Sequence, residues 1–242
     1  MIFSVHIPKT AGTSFARALE ARFGKRLALY YGVHDPKTTE GLRVPREELA
    51  GPAAELEARG FECLHGHYHV RNVQPLITDP AEVWTWLRDP VERTLSQFDF
   101  YKERPLELKE LAERVKAGEV NIRDFAQIKG VRDLQTRYLK GFDLADYGFV
   151  GITEHFELGL SLLFGGEAPT LKRRYNATEA RSVVDAEDRQ RIAKANVRDL
   201  QLYADGLRLF VDRLAAAGAV SAPERPAAAS GGLLKRLRSK VA

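Results

Sequence analysis

The sequence is poor in cysteine and in long apolar runs, and both absences exclude classes of protein. Its 242 residues include one cysteine, Cys63, so the chain cannot form an intrachain disulfide. It has no run of about 18 apolar residues, so no transmembrane helix is expected. The opening segment MIFSVHI reads as a strand and leaves no room for the charged and apolar regions of a signal peptide. We therefore expect a cytoplasmic protein.

An excess of charge is also missing from most of the chain. The formal net charge is +4, but residues 219–242 alone hold five basic residues against Glu224. Residues 1–218, which we expect to form one α/β domain, are therefore close to neutral. Because nucleic-acid binding needs a basic face, we expect no nucleic-acid partner. Any bound anion must be held by a local site.

Residues 219–242 differ in composition from the rest of the chain. SAPERPAAASGG is rich in Ala, Pro, Ser and Gly, which is typical of a flexible linker. LLKRLRSKVA is a short basic end. We expect a flexible tail that either stays in solvent or makes weak contact with an anionic membrane or a partner.

Apolar segments alternate with helix-like segments along residues 1–218. The patterns predict strands over 2–7, 27–31, 61–64, 83–87 and 149–153. They predict helices after Gly12, from about Pro45, from Pro90 through Tyr101, and over 106–117, 121–140, 155–164 and 185–217. This alternation predicts a mostly parallel sheet with helices on both faces. Ligands of such sheets bind beyond the carboxyl ends of the strands, where polar motifs follow three of the predicted strands.

The segment HIPKTAGTSF joins the first predicted strand to the first helix. The N–H groups at a helix N-terminus form an anion site, and Gly12 lets the backbone approach a phosphate. Thr13 and Ser14 add hydroxyl donors, and Lys9 adds a full charge. A capped turn without a ligand is the alternative. The segment is not a Walker A loop, GxxxxGK[ST], because Lys9 precedes Gly12.

A second polar motif, WLRDPVERTLSQF, follows the predicted strand 83–87. Arg88 closes that strand, and Ser96 lies two turns into the next helix. Arg93 and Ser96 share a helix face because they are three residues apart. Arg93 therefore either assists in binding an anion or pairs with Asp89 or Glu92.

Histidines end the predicted strand between these two motifs, in the order His65-Gly66-His67. An alcohol is a poor nucleophile at neutral pH, and histidine is suited to act as its general base. The alternatives are a zinc pair, which His69 could join, and polar residues that merely end a strand. We expect His6 to be structural.

Together these motifs resemble those of sulfotransferases that use 3'-phosphoadenosine 5'-phosphosulfate (PAPS). They are most similar to the carbohydrate branch that includes heparan-sulfate 2-O-sulfotransferase. PKTAGTSF resembles the 5'-phosphosulfate loop, RDPVERTLS resembles the 3'-phosphate motif, and HGH resembles the catalytic histidines. The resemblance spans about residues 1–215 and implies a P-loop-type sheet.

The resemblance also implies residue roles. Lys9 would contact the phosphosulfate and stabilise the departing nucleotide. His67 would be the general base, and His65 would support it. The residues expected to bind the nucleotide are Lys9, Thr10, Ala11, Gly12, Thr13, Ser14, Arg88 and Ser96. The family often has Tyr where Phe98 and Phe100 stand here, and we expect both rings in the core.

These observations predict a PAPS-dependent sulfotransferase that needs no metal and acts on a hydroxyl acceptor, which we expect to be a carbohydrate. Two alternatives stay open: a P-loop kinase or nucleotide hydrolase using ATP–Mg²⁺ with Asp89 as a ligand, and a nucleotide-binding module without catalysis. Arg137 either faces the acceptor or cofactor or forms a surface salt bridge. Residues 172–174 either cover the nucleotide or lie in solvent. The neutral body makes a small glycan, a lipid-linked sugar or another hydroxyl compound as consistent as a polysaccharide.

Overall fold

The computed structural model describes residues 1–103, 110–165 and 182–218. These residues form a five-stranded sheet in which every pair of neighbouring strands is parallel. Its strands are β1 (Ile2–Val5), β2 (Leu27–Tyr30), β3 (Cys63–Gly66), β4 (Val83–Leu87) and β5 (Phe149–Ile152), in the order β2-β3-β1-β4-β5. The prediction of a parallel α/β sheet is confirmed. The predictions for residues 172–174 and for the tail at 219–242 lie outside the described residues.

The helices of the described ranges follow the expected alternation with the strands. They are α1 (Gly12–Phe23), α2 (Ala50–Ala53), α3 (Val70–Val73), α4 (Pro90–Glu103), α5 (Glu110–Lys116), α6 (Ile122–Gln127), α7 (Leu134–Leu139), α8 (Phe156–Phe164), α9 (Ala186–Ala195) and α10 (Val197–Ala216). In this part of the chain no helix is both long and apolar enough to cross a membrane.

Two predicted helices are each divided in two. The segment 121–140 forms α6 and α7, which are separated by a turn that ends at Asp133, a residue with a φ of 46°. The segment 185–217 forms α9 and α10, which meet at the buried Asn196. The Asn196 side chain accepts a hydrogen bond from the Asp133 N–H (3.0 Å), so one tertiary contact marks both breaks. The helix expected from about Pro45 is only a 3-10 turn over Arg46–Glu48 followed by the single turn α2.

The third strand lies two residues later than the sequence pattern predicts. The pattern predicts a strand over 61–64, whereas β3 covers Cys63–Gly66. His65 and Gly66 are therefore strand residues that pair with Ser4 and Val5 of β1. Pairing with β1 extends β3 through His65 and Gly66, although the sequence pattern itself does not indicate a strand there.

Helices cover both faces of the sheet because successive strand residues point to opposite sides. Val83 and Leu87 of β4 belong to an apolar cluster that contains residues of α7 and α10. Trp86 of the same strand belongs to a second cluster that contains residues of α1 and α8. A third cluster joins α4, α5, α6 and α9 and includes Phe98. The sheet order makes β3, β1 and β4 neighbours, so the loops that follow them share one edge.

Candidate active site

The loop between β1 and α1 has an unusual backbone that internal hydrogen bonding supports. Lys9 (φ 73°) and Ala11 (φ 61°) adopt left-handed conformations, which residues other than glycine rarely do. The Thr10 hydroxyl donates to the Ile7 carbonyl (2.9 Å). Thr10 is 1% exposed, so its hydroxyl serves the loop's own structure. The loop ends at Gly12, where α1 begins. The N–H groups of the first helical turn have no partner within the helix and are therefore suited to bind an anion.

Lys9 extends from this loop to an aromatic ring of α4. Its ammonium nitrogen lies 4.2 Å from the centroid of the Phe100 ring, which is the geometry of a cation–π contact. The prediction of a core position is confirmed for Phe98, which is 4% exposed. Phe100 is instead half-buried and holds the lysine beside the loop.

Arg88 links the second motif to the first. It follows β4, and its Nη1 atom donates to the Lys9 carbonyl at 3.1 Å. The Gln135 side chain accepts from the Arg88 N–H and donates to the Arg88 carbonyl, both at 2.9 Å. Because Gln135 is fully buried, it holds the Arg88 backbone in place at the sheet edge.

The residues after Arg88 start α4 in a capped conformation. The Asp89 carboxylate accepts hydrogen bonds from the N–H groups of Val91 and Glu92, both at 2.9 Å, as an N-cap residue does. Its own N–H donates to a Glu154 carboxylate oxygen at 3.0 Å. Ser96 lies in α4, two turns from Arg88, and is half-buried.

Arg93 takes neither of the two roles expected for it. Its side chain is fully buried, where it donates to Gln97 (2.7 Å), Thr94 (3.2 Å) and the Val131 carbonyl (3.0 Å). Burial is the main cause that lowers the pKa of Arg93 to about 10. Arg93 therefore holds α4 against the turn between α6 and α7.

Three histidine rings form a stack at the ends of β1 and β3. The ring centroid of His6 lies 4.1 Å from that of His67 and 5.2 Å from that of His65, with interplanar angles of 26° and 13°. Tyr31, which follows β2, meets all three rings edge-on. The sequence reasoning missed this role of His6. The available signal was register, since His6 and His67 directly follow the paired residues Val5 and Gly66.

Hydrogen bonds fix the outer histidine of the stack. The His67 Nδ1 atom lies 2.9 Å from the His6 carbonyl oxygen. A carbonyl can only accept, so Nδ1 carries the proton and the neutral ring has its lone pair on Nε2. This is the tautomer that a general base requires.

The inner histidines are held neutral by burial. His65 is 1% exposed, and its Nδ1 atom lies 2.8 Å from the Ser4 hydroxyl. Burial, together with the neighbouring His67, lowers the pKa of His65 to about 3. Burial also lowers the pKa of His6 well below its usual value. His65 therefore lies within β3 at the buried end of the histidine stack.

Two glycines allow this packing. A Cβ atom on Gly12 would lie 1.6 Å from the His6 Nε2 atom, so the ring occupies the space that any other residue would need. A Cβ atom on Gly66 would lie 1.8 Å from the Tyr30 carbonyl oxygen, because β2 passes close by. The first contact gives Gly12 a packing role in addition to any role beside a phosphate.

The stacked rings do not have the geometry of a zinc site. Zinc needs lone pairs that converge on one point, whereas these rings are stacked nearly parallel to one another. Across the described ranges, no three His, Cys, Asp or Glu side chains are placed to hold a metal ion together.

Arg137 of α7 forms no salt bridge with any described residue. Its Nη1 atom donates to the Lys129 carbonyl, while its Nε and Nη2 atoms are buried without a hydrogen-bond partner among the residues described. The alternative of a surface salt bridge is therefore not supported.

No known family model matches the chain, and no curated protein sequence matches it significantly.

Proposed function

We propose that the protein transfers a sulfuryl group from PAPS to a hydroxyl acceptor, for which a carbohydrate is the class that the resemblance favours. The observation that carries this proposal is that side chains from the second motif and the histidine motif both bond to carbonyl groups of the loop between β1 and α1. Arg88 donates to the Lys9 carbonyl at 3.1 Å, and His67 donates to the His6 carbonyl at 2.9 Å. A base, two cations and a helix N-terminus therefore meet at one edge of the sheet.

The nucleotide would lie across this edge with its two anionic groups apart. The first-turn N–H groups of α1, the hydroxyls of Thr13 and Ser14 and the Lys9 ammonium suit the 5'-phosphosulfate. Arg88 and Ser96 suit the 3'-phosphate, because a guanidinium matches the geometry of phosphate oxygens. A nucleotide with one phosphate cluster would leave the second group of donors unused.

The transfer would be an in-line displacement at sulfur. The acceptor oxygen forms a bond to sulfur while His67 Nε2 takes its proton. The bond between sulfur and the phosphate oxygen breaks, and its electron pair stays on the phosphate to give 3'-phosphoadenosine 5'-phosphate (PAP). Lys9 and the loop N–H groups stabilise that charge, and the His6 carbonyl stabilises the imidazolium through the Nδ1–H bond. No step of this scheme uses a metal ion.

The kinase alternative has less support than the transferase. It needs Asp89 as a Mg²⁺ ligand, but one oxygen of that carboxylate, Oδ1, already accepts from the N–H groups of Val91 and Glu92 as the cap of α4. It also needs a lysine directly after a glycine in the loop, whereas Lys9 precedes Gly12.

Calorimetric titration with PAP and with ATP–Mg²⁺ tests the donor class. We expect metal-free PAP to bind wild type tightly and Arg88→Ala at least about tenfold more weakly, since a charged hydrogen bond is lost. Arg22→Ala, which removes an exposed arginine at the far end of α1, is the matched control and should bind as wild type does. A preference for ATP–Mg²⁺ would refute the proposal.

Single-turnover measurements with PAPS test the base. We expect His67→Ala to lower the rate by roughly two to four orders of magnitude and to leave PAP affinity unchanged. A protein that binds PAP but shows no transfer to any hydroxyl acceptor would favour the non-catalytic module.

A further inference from the structure

The buried carboxylate of Asp199 in α10 fixes the first turn of α7. One of its oxygens accepts from the Gln135 N–H (3.0 Å), and the other accepts from the N–H (2.8 Å) and the hydroxyl (2.7 Å) of Thr136. Asp199 and Gln135 are both fully buried. In return, the Asp133 carboxylate accepts from two N–H groups at the start of α10. The two helices therefore cap one another, which fixes the position of Gln135.

The side chain of Gln135 continues from α7 to the residue that follows β4. The ladder between β4 and β5 ends at Leu87, so the backbone groups of Arg88 need other partners. One carboxamide supplies both: its oxygen accepts from the Arg88 N–H, and its nitrogen donates to the Arg88 carbonyl, each at 2.9 Å. A carboxamide offers an acceptor and a donor in one rigid group. Gln135 therefore takes the place of a neighbouring strand for this one residue.

Holding the Arg88 backbone also determines where its guanidinium lies. The side chain is half-buried, and its Nη1 atom donates to the Lys9 carbonyl at 3.1 Å. A guanidinium binds phosphate oxygens through a planar fork of donors, and a binding geometry of this kind must be held to within about 0.5 Å. A shift of the Arg88 backbone would move the fork away from a bound phosphate.

Capping of α7 alone does not account for the Gln135 carboxamide. Asp199 bonds to the backbone N–H of Gln135, which any residue other than proline would provide. A methionine would fill the same buried space and keep that bond. It would lose only the two bonds to the Arg88 backbone. Because burying a carboxamide costs free energy unless it is hydrogen-bonded, the side chain is best explained by its bonds to Arg88.

We propose that Gln135 is the positioning residue of the 3'-phosphate site. It does not touch the nucleotide. It holds Arg88 at the sheet edge, and Asp199 holds it in turn from α10, so selectivity for a 3'-phosphate depends on a side chain behind the site. This inference rests on the proposed function, because it takes Arg88 as a ligand of the 3'-phosphate.

Calorimetry with PAP and with adenosine 5'-phosphate, which differ only in the 3'-phosphate, tests the proposal. Gln135→Met removes the carboxamide but keeps the length of the side chain, and Gln135→Glu places a carboxylate, which cannot donate, against the Arg88 carbonyl. We expect both variants to weaken PAP binding by roughly five- to tenfold and to leave the affinity for adenosine 5'-phosphate unchanged. Either variant that folds as wild type does by circular dichroism carries the test.

Gln97→Met is the matched control. Gln97 is also a buried glutamine that bonds to an arginine, since it accepts from Arg93 Nη1 at 2.7 Å. The same substitution there should lower stability towards urea and leave PAP affinity unchanged. Equal losses of PAP affinity in the Gln97 and Gln135 variants would mean that the loss reports general damage to the fold, and would overturn the inference.

The Arg88→Ala background separates positioning from a general structural role. If Gln135 acts only through Arg88, adding Gln135→Met to Arg88→Ala should weaken PAP binding no further. A general structural role would weaken PAP binding in both backgrounds and would weaken adenosine 5'-phosphate binding as well. That outcome overturns the inference, and so does PAP binding as tight as that of wild type in the Gln135 variants.

Failure of this inference can be told from failure of the proposed function. If wild type binds PAP and Arg88→Ala binds it more weakly, while the Gln135 variants bind it as wild type does, only the positioning role is wrong. If wild type does not bind PAP, the proposed function fails and the inference fails with it.

Discussion

Replacing Gly12 with alanine tests whether the His6 ring packs against the start of α1 as the structure shows. The added Cβ would lie 1.6, 2.0 and 2.1 Å from three atoms of the imidazole, far inside van der Waals contact. The ring cannot swing away freely, because it is 9% exposed and is stacked on His65 and His67. Either the ring or the start of the helix must therefore move.

Two opposing effects set the size of the change. Alanine is a better helix former than glycine by up to about 1 kcal/mol. Forcing an extra carbon into a packed site costs typically ~1–3 kcal/mol. We therefore expect Gly12→Ala to lower the free energy of unfolding by roughly 1–2 kcal/mol, even though helix propensity alone predicts stabilisation.

Urea denaturation of Gly12→Ala, His6→Ala and the double variant provides the assay. If the clash is the cause, removing the ring removes the penalty, and the double variant should be more stable than the sum of the single changes predicts by about 1 kcal/mol or more. Additive effects, or a Gly12→Ala protein as stable as wild type, would refute the packing argument. Loss of PAP binding without loss of stability would mean that Gly12 serves only to admit a phosphate.

Three further changes probe the same region. In the unfolded chain His6 and His65 take up protons near pH 6.5, whereas burial keeps both rings neutral in the folded protein, with a pKa of about 3 for His65. The free energy of unfolding should therefore be highest above pH 6.5. It should fall as the pH is lowered below 6.5, by about 1.4 kcal/mol per pH unit for each ring. A flat stability profile between pH 6.5 and 5 would contradict it. Ser4→Ala leaves the buried His65 Nδ1 without its partner and should cost about 1–3 kcal/mol by urea denaturation, with Ser4→Thr as the conservative comparison. Arg93→Met leaves Gln97 and a buried carbonyl unpaired and should cost roughly 2–4 kcal/mol, without the loss of PAP affinity that a phosphate ligand would show.

The sheet was predictable because its signals are local. The run VWTWL is apolar and β-rich, and β4 covers the predicted residues 83–87. Strands alternate with helices along the sequence, which allows few arrangements other than a parallel sheet. The meeting of three polar motifs at one edge followed from that topology, and the order β3-β1-β4 confirms it.

The features that were missed depend on contacts between distant segments. Asp133, which precedes α7, and Asn196, which separates α9 from α10, bond to one another across 63 residues, and helix periodicity contains no such information. A charged side chain on a helix normally faces solvent. Only the hydrogen bonds that Arg93 makes within α4 and to the Val131 carbonyl show why it is buried instead. The contact between His6 and Gly12 requires two elements to be placed to within an ångström.

The structure separates the two histidines that the motif places side by side. His67 is oriented by a backbone carbonyl, so no side-chain substitution can remove its acceptor. His65 is buried, bonds to Ser4, and is separated from His67 by the His6 ring. It is therefore not a hydrogen-bonded relay partner of the base that we propose, and it can support His67 only through packing. The residue that connects the proposed base to the loop between β1 and α1 is His6, because its carbonyl bonds to His67 while its ring packs against Gly12.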